Sequence, residues 1–474
     1  MTDLRATLGA VGPARSRLIR CLSWALAGLV LLARPAAAQQ NRRCLFEVKN
    51  IARQGVQIEP APGVQNFFGG GDVHLKCRGQ KVDVFSDSVA SYQGKVIQFI
   101  GNVKYRDSTS SLDANAGTYF RDGEWFDAQG DVVHTDLKNG SSLTGERIQY
   151  YRPIKGTAHE ELEIKAENRP TLHYAFKDST GKVAEPYVIV ADRMRIVGSD
   201  VIYAWGSVHI DRSDFLGRGD SLWMDNAKRN AGRLMGNASM RSVSKDSFAL
   251  TGKTIDLKLR NKELTNIRSN GDGDLNTADV RIKADTISIK MENRQVEQTL
   301  AWGKTLRPQA FSGDYEIRGD SLAIDTPDQK LKEVRSYRGA WAGFRPDSGS
   351  GKRDWIAGGQ LTAVFVQRDS AGQPKTQVER IRAVEKAQSY YRMSNDKSKA
   401  DGRPSINYSR ADTIVVAMRT GSDSTGVESI RARGNVDGVQ LQPVEIKIKN
   451  DSTAADTARA RGKPDTVRAK RPPK

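Results

Sequence analysis

The sequence is short of the residue types that most site chemistry needs. Five histidines and three cysteines in 474 residues leave little material for a metal centre or a thiol enzyme. Aromatics are 7% of the chain, and its mean hydropathy is −0.56. Only one apolar run could interest a membrane, from Cys21 to Ala33, and it is well short of the ~20 residues of a spanning helix. An integral helical membrane protein is therefore excluded. What is abundant is charge: Lys plus Arg outnumber Asp plus Glu by 74 to 56, a formal +18. Hydrophobic residues still make up 38%, enough to bury a core.

Residues 1–38 read as a secretory signal peptide. Arg15, Arg17 and Arg20 form a basic start, the apolar run follows, and Ala36-Ala37-Ala38 supplies a small-x-small cleavage pattern. A retained anchor is the weaker alternative, and Arg20 before Cys21 argues against a lipoprotein signal. Removing these residues takes away five arginines and one aspartate and lowers the formal charge from +18 to +14. It leaves Cys44 and Cys77, expected to form one disulfide in an oxidising compartment, with two free thiols as the alternative. Residues 450–474 are Ala, Arg, Lys, Pro, Thr and Asp with almost no large apolar side chain, the composition of a disordered basic tail.

The interior repeats. One element is small-polar-polar-apolar-x-apolar, as in Gly219-Asp220-Ser221-Leu222-Trp223-Met224 and Gly319-Asp320-Ser321-Leu322-Ala323-Ile324, with looser copies from Ala191, Gly252, Ala284 and Ala411. The second is x-Gly-polar-Val or its near match: Ile100-Gly101-Asn102-Val103, Gln129-Gly130-Asp131-Val132, Trp205-Gly206-Ser207-Val208, Met235-Gly236-Asn237-Ala238 and Arg433-Gly434-Asn435-Val436. Successive copies of the first element from Ala191 lie 28, 33, 32 and 35 residues apart. A period near thirty that holds two strands and two turns marks a repetitive all-β stack.

Apolar residues alternate, as in a strand, with Ile97, Phe99, Val103 and Tyr105 on one face and Gln98, Asn102 and Lys104 on the other. Ile202, Ala204, Gly206, Val208 and Ile210 share one face in the same way. Arg121-Asp122-Gly123, Lys138-Asn139-Gly140 and Ser269-Asn270-Gly271 read as turns. A glycine recurring in mid-strand calls for a bend, a bulge or close backbone approach. Strands bent at one level would fold a sheet over on itself. The fold class expected is therefore all-β, an elongated, folded-over, two-sheet jellyroll stack.

These motifs resemble the OstA-like, LptA-type family of lipopolysaccharide transport domains. The resemblance runs from Phe99 to Asp107, Asp127 to Val133 and Leu143 to Tyr150, and again from Ala191 to Met194, Ala204 to Ile210 and Asp220 to Asp225. Weaker copies continue to about Val436. The motifs are short and degenerate, and repetition at constant spacing is what makes them specific. The family includes a periplasmic bridge protein, its membrane-anchored partner and the N-terminal region of the outer-membrane translocon. The resemblance implies a β-jellyroll whose apolar groove carries lipopolysaccharide or another anionic glycolipid toward the outer membrane. It also implies periplasmic location beside that membrane, inner- and outer-membrane transport partners, and end-to-end self-association.

The division expected is a first jellyroll segment over 39–155, a connecting segment over 156–190, a second jellyroll over 191–345 and degenerate β repeats over 346–449. The groove-lining residues expected are Phe99, Val103, Leu112, Phe126, Ile202, Val208, Leu222, Met224, Ile255, Ile287 and Ile324. The same side chains would equally fill the closed core of a structural envelope protein, which is the alternative function. No cofactor, metal or catalytic residue is expected. Gly219-Asp220-Ser221-Leu222 spells an esterase motif, but no histidine follows His209 to serve Ser221 or Ser321 as a base. Asp272-Gly273-Asp274 lacks the glycine and glutamate of a calcium loop, and Gly252-Lys253-Thr254 and Gly303-Lys304-Thr305 lack the first glycine of a phosphate loop. The basic excess has three readings: protection of strand edges, contact with phosphates of a glycolipid or membrane, and nucleic acid, which export argues against.

Overall fold

The computed structural model describes residues 43–53, 55–154, 159–175, 185–243, 248–261, 263–344, 353–370, 373–393, 404–419 and 427–442. The expected signal peptide and basic tail lie outside them. The described residues are almost entirely strand, and all pair antiparallel; the single helical element is a 3-10 turn at Pro327–Gln329. The chain divides into two compact units, 1–337 and 338–474.

In the first unit, consecutive long strands pair in order, and residues at the same level of the repeat stand in continuous rows. One row runs Phe99, Gly117, Ala128, Ile148, Ala166, Met194, Ala204, Leu222, Leu234 and Ile255, each the direct cross-strand partner of the next. It continues through Ser269, Ile287, Ala301 and Leu322 to Ser336. Large and small side chains mix along it, so neighbouring layers interdigitate; a Cβ on Gly117 would lie 2.3 Å from the Phe126 ring.

The mid-strand glycines explain the folding-over. Gly71-Asp72, Gly101-Asn102, Gly130-Asp131, Gly206-Ser207, Gly236-Asn237 and Gly271-Asp272 each have both residues at positive φ, and cross-strand register slips at each pair. An L side chain resists that region by roughly 1–2 kcal/mol, which glycine avoids. The two sequence elements meet here. The aspartate of the first element lies over the glycine of the second, so a Cβ on Gly206 or Gly236 would lie 2.2 Å from the Oδ2 of Asp192 or Asp220. Asn102 Nδ2 donates to Asp87 Oδ2 at 2.8 Å, and Asn237 Nδ2 to Asp220 Oδ2 at 3.3 Å. Ser269-Asn270-Gly271, expected as a turn, is instead inside the strand Glu263–Asn276. Its glycine belongs to a bulge, which shares with a hairpin turn the need for positive φ.

Each bent strand thus has two halves, and both bury their inward faces against one interior. Phe126 and Tyr150 on one half meet Tyr105 on the other at ring-centroid distances of 5.6 and 5.4 Å. In some layers the bend opens and the strand becomes two short ones. Glu163–Glu167 and Thr171–Tyr174 both pair with Ser142–Tyr151, and Tyr187–Val190 and Arg193–Val197 both pair with Val201–Arg212. The described residues of the segment expected as a connection, 159–175 and 185–190, include three short strands that pair with the long strands on either side. In the second unit, Asp354–Ser370, Gln373–Met393 and Ser405–Met418 pair in order, and Ser405–Met418 carries Val427–Arg433 and Asp437–Leu441 on its other side.

Candidate functional site: the apolar interior of the first unit

The eleven residues expected to line a groove all face this interior, and each is at most 1% exposed. Phe99, Leu222, Ile255 and Ile287 stand in the row described above. Phe126, Ile202, Met224 and Ile324 belong to the next row of the same half, in which Ile202 pairs with Met224 and Thr299 with Ile324. Val103 and Val208 sit just past the bulges, opposite Ala114 and Gly219. Leu112 belongs to a facing row on the other half, which runs Tyr105, Leu112, His134, Leu143, Leu172, Ile189 and Ile210. The structure brings all eleven into one continuous apolar volume, bounded by two half-sheets.

At the first layers this volume widens into a cavity of 190 Å³ lined by Leu45, Phe46, Val48, Phe67, Leu75, Val89 and Ile97, with Arg121 among its wall residues. Leu45 and Val48 are 41% and 52% exposed, so the cavity reaches the surface. Cys44 also borders it and is joined to Cys77 in a disulfide, with the Cα atoms 5.3 Å apart. Smaller cavities of 20 and 40 Å³ lie further along, between the two half-sheets.

Polar groups in the interior concentrate where the two halves meet on the side away from the bend. Glu124, 1% exposed, accepts from the Cys44 amide, the Tyr119 hydroxyl and, at 2.7 Å, Arg152 Nη1. Asp107 accepts from the hydroxyls of Tyr105 at 3.0 Å and Tyr150 at 2.7 Å and from the amides of Thr109 and Ser110. Burial pulls the Asp107 carboxyl up, but these hydrogen bonds outweigh it and hold it below the usual range. Burial, with Asp107 alongside, raises the hydroxyls of Tyr105 and Tyr150, so both stay protonated donors. Tyr174 donates to Asp200 at 2.6 Å. Sequence reading missed these tyrosine–aspartate pairs. Their one local signal is a tyrosine closing a strand two residues before the Asp107 turn; Tyr150 and Asp107 are 43 residues apart.

His134 lies upstream of both serines of the esterase-like motif. It lies in the facing apolar row, 3% exposed, with Nε2 unpartnered, and burial holds its pKa down to about 4. Ser221 and Ser321 stand in an outward row, opposite Trp205 and Met235 and opposite Trp302 and Tyr337 respectively. That is a strand start in repeat phase. Among the described residues no group of three or more His, Cys, Asp or Glu side chains is placed to hold a metal ion.

No protein-family model and no curated protein matches the chain. Among solved structures it is similar to LptH, the LptA-homologous periplasmic component of the lipopolysaccharide transport device of Pseudomonas aeruginosa. The match has 16% identity over 35% of this chain and 99% of that one, with a TM-score of 0.22.

Proposed function

We propose that the interior of the first unit holds the acyl chains of a lipid, lipopolysaccharide or a related anionic glycolipid, within a periplasmic system that carries it toward the outer membrane. The observation that carries this reading is the run of continuous, mostly apolar rows together with a surface-reaching apolar cavity at its first layers. An apolar cavity of roughly 150 Å³ stays dry and takes up a benzene-sized guest, so 190 Å³ suits the end of a hydrocarbon chain. Burying such a chain gains roughly 25 cal/mol per Å². Rows repeated layer after layer let it shift by one layer with little change in buried area. Arg121, at the cavity wall, is the cation placed for a headgroup phosphate. In this reading Phe99, Ile202, Leu222 and their eight companions touch the chain. The first layer, Phe46–Asn50 and Val56–Ala61, pairs only with Val64–Cys77 among the described residues. Its free backbone edge suits a strand from a transport partner or a second copy.

A closed scaffold of the envelope is the second reading, and the near-zero exposure of the eleven interior residues favours it. A photo-crosslinking residue at Phe99, Ile202 or Phe46, with Gln98 as outward control, separates the two in living cells. Glycolipid adducts from the inward sites and not from Gln98 support the carrier. Silence at all three, with the protein exported and folded, leaves the scaffold.

A further inference from the structure

Resting on the lipid reading, we infer that His134 is a hydrogen-bonding subsite inside the apolar interior and that the ligand it selects is an acyl chain carrying a hydroxyl. In the facing row His134 stands between Leu112 and Leu143, its direct cross-strand partners. The residue is 3% exposed, and its Nε2 has no hydrogen-bond partner among the described residues. Tyr105, the other polar residue of that row, has its hydroxyl on Asp107 at 3.0 Å. A buried polar atom without a partner is a standing cost to the fold, and a ligand that supplies the partner removes it.

The surroundings define that partner. His134 borders the 20 Å³ cavity, with Leu143, Leu162, Ile164, Leu172, Ile196 and Ile202 among its other walls. About 10–15 Å³ is enough for one water-sized group, so the space takes a single hydroxyl and excludes a sugar or a phosphate. Ser141 and Tyr174 at the same wall are engaged already, with the Ala175 amide at 2.9 Å and with Asp200 at 2.6 Å. Burial holds the His134 pKa down to about 4 against Asp136 and Asp107, so the ring is neutral and offers no charge to an anion. In a neutral ring Nε2 either donates or accepts, according to the tautomer, and a hydroxyl matches both because it does either. Aliphatic walls then require that the hydroxyl arrive on a hydrocarbon chain.

The position fits a chain that enters at the first layers. Ile97, at the 190 Å³ cavity, belongs to Val96–Arg106, and Trp125–Asp136 is the second strand beyond it. At ~4.8 Å per strand the histidine is roughly 10 Å along the stack. A plain chain reaching this level fills apolar volume and leaves Nε2 unpaired, whereas a hydroxylated one pairs it. Sites with a buried polar group discriminate in this way against the analogue that lacks the matching group.

The test uses the full-length protein and displacement of a bound dansyl-labelled fatty acid. The competitors are octadecanoic acid and its monohydroxy isomers, with the hydroxyl near the carboxyl, midway and near the tail. One regained hydrogen bond predicts that at least one isomer binds about tenfold more tightly than the plain acid. In His134→Leu, which matches the leucines on either side, that ratio should fall to about one. Equal affinities of all the acids for the wild type overturn the subsite, keep the lipid reading and leave Nε2 to a bound water. A ratio that survives in His134→Leu overturns His134 as its source. No binding of the dansyl probe or of any acid removes the lipid reading, and the subsite with it. The wild-type comparison is complete without the variant, so it decides the inference should His134→Leu fail to fold.

Discussion

The two units solve the same backbone problem, and each does so with more than one choice of residues. In the first unit six bulges are written as glycine followed by a small polar residue, from Gly71-Asp72 to Gly271-Asp272, with both at positive φ, while the bend at Asn168-Arg169 has φ 63° and 61° with no glycine. In the second unit Gly434-Asn435 repeats that solution, and Asn435 Nδ2 donates to both carboxylate oxygens of Asp412, at 3.2 and 3.0 Å. Two pairs there depart from it: Arg338-Gly339 puts the glycine second, at φ 58° and 57°, and the other pair has none. Glu385 and Lys386 sit at φ 67° and 57°, with no glycine of their own. The glycines have moved to the facing strand: a Cβ on Gly359 would lie 2.1 Å from Glu385 Oε2, and one on Gly358 would lie 2.6 Å from the Val384 carbonyl. Backbone conformation and close approach are thus separable demands. In the Gly-polar bulges one glycine meets both. At Glu385 the facing glycines meet the second, and the first is left as strain.

The units differ in their end layers as well. The first layers of the first unit are tied by Cys44–Cys77, whereas the second unit contains no cysteine. Replacing both cysteines by serine should remove about 4 kcal/mol of stability, from the loop entropy of a 33-residue separation. Chemical denaturation reads this, and a reducing agent should reproduce it in the wild type. An unchanged midpoint would mean that Glu124, which accepts from the Cys44 amide, ties the segment by itself.

The bulges give the sharpest contrast. Gly206→Val combines φ +79° with a Cβ 2.2 Å from Asp192 Oδ2, and should destabilise by about 3 kcal/mol. Glu385→Gly should instead stabilise by about 1 kcal/mol, because it relieves the strained conformation. Thermal denaturation decides both, and equal signs would break the comparison.

Each unit also buries polar atoms without a partner, His134 Nε2 in the first and the Tyr391 hydroxyl in the second among them. His134 in the first unit has a folded pKa of about 4 against an ordinary value of 6.5, so the unfolded chain binds the extra proton between those values. Stability should therefore fall by about 3 kcal/mol on acidification from pH 6.5 to 4, and His134→Leu should remove that part of the slope. Tyr391 in the second unit is fully buried and its hydroxyl has no hydrogen-bond partner. Tyr391→Phe should leave the pH dependence of stability over that range unchanged and raise stability by about 1 kcal/mol.

The repeat was legible wherever backbone geometry is written in residue identity. Gly206 with Asp192, or Gly236 with Asp220, mark a conformation that few other residues tolerate, so the bulge shows in the letters. Where Glu385-Lys386 take that conformation under pressure from their neighbours, the letters carry no mark. For the same reason, segment 156–190 read as a connection: the strands described within it have only four or five residues, too short for alternation to show.

By itself the sequence determined the all-β class, the inward and outward faces, and the eleven residues that share the interior. Period-two alternation and the glycine bulge are local constraints, and each is satisfied within one repeat. Only the tertiary structure decided what closes that interior. The pairing of Tyr150 with Asp107, Tyr174 with Asp200 and Arg294 with Asp214 joins turns from different layers, and so does the cavity that Phe46 and Phe67 share with Ile97. Such contacts depend on how far each layer is rotated over the last, a sum of small twists and bulges that no single stretch of sequence encodes.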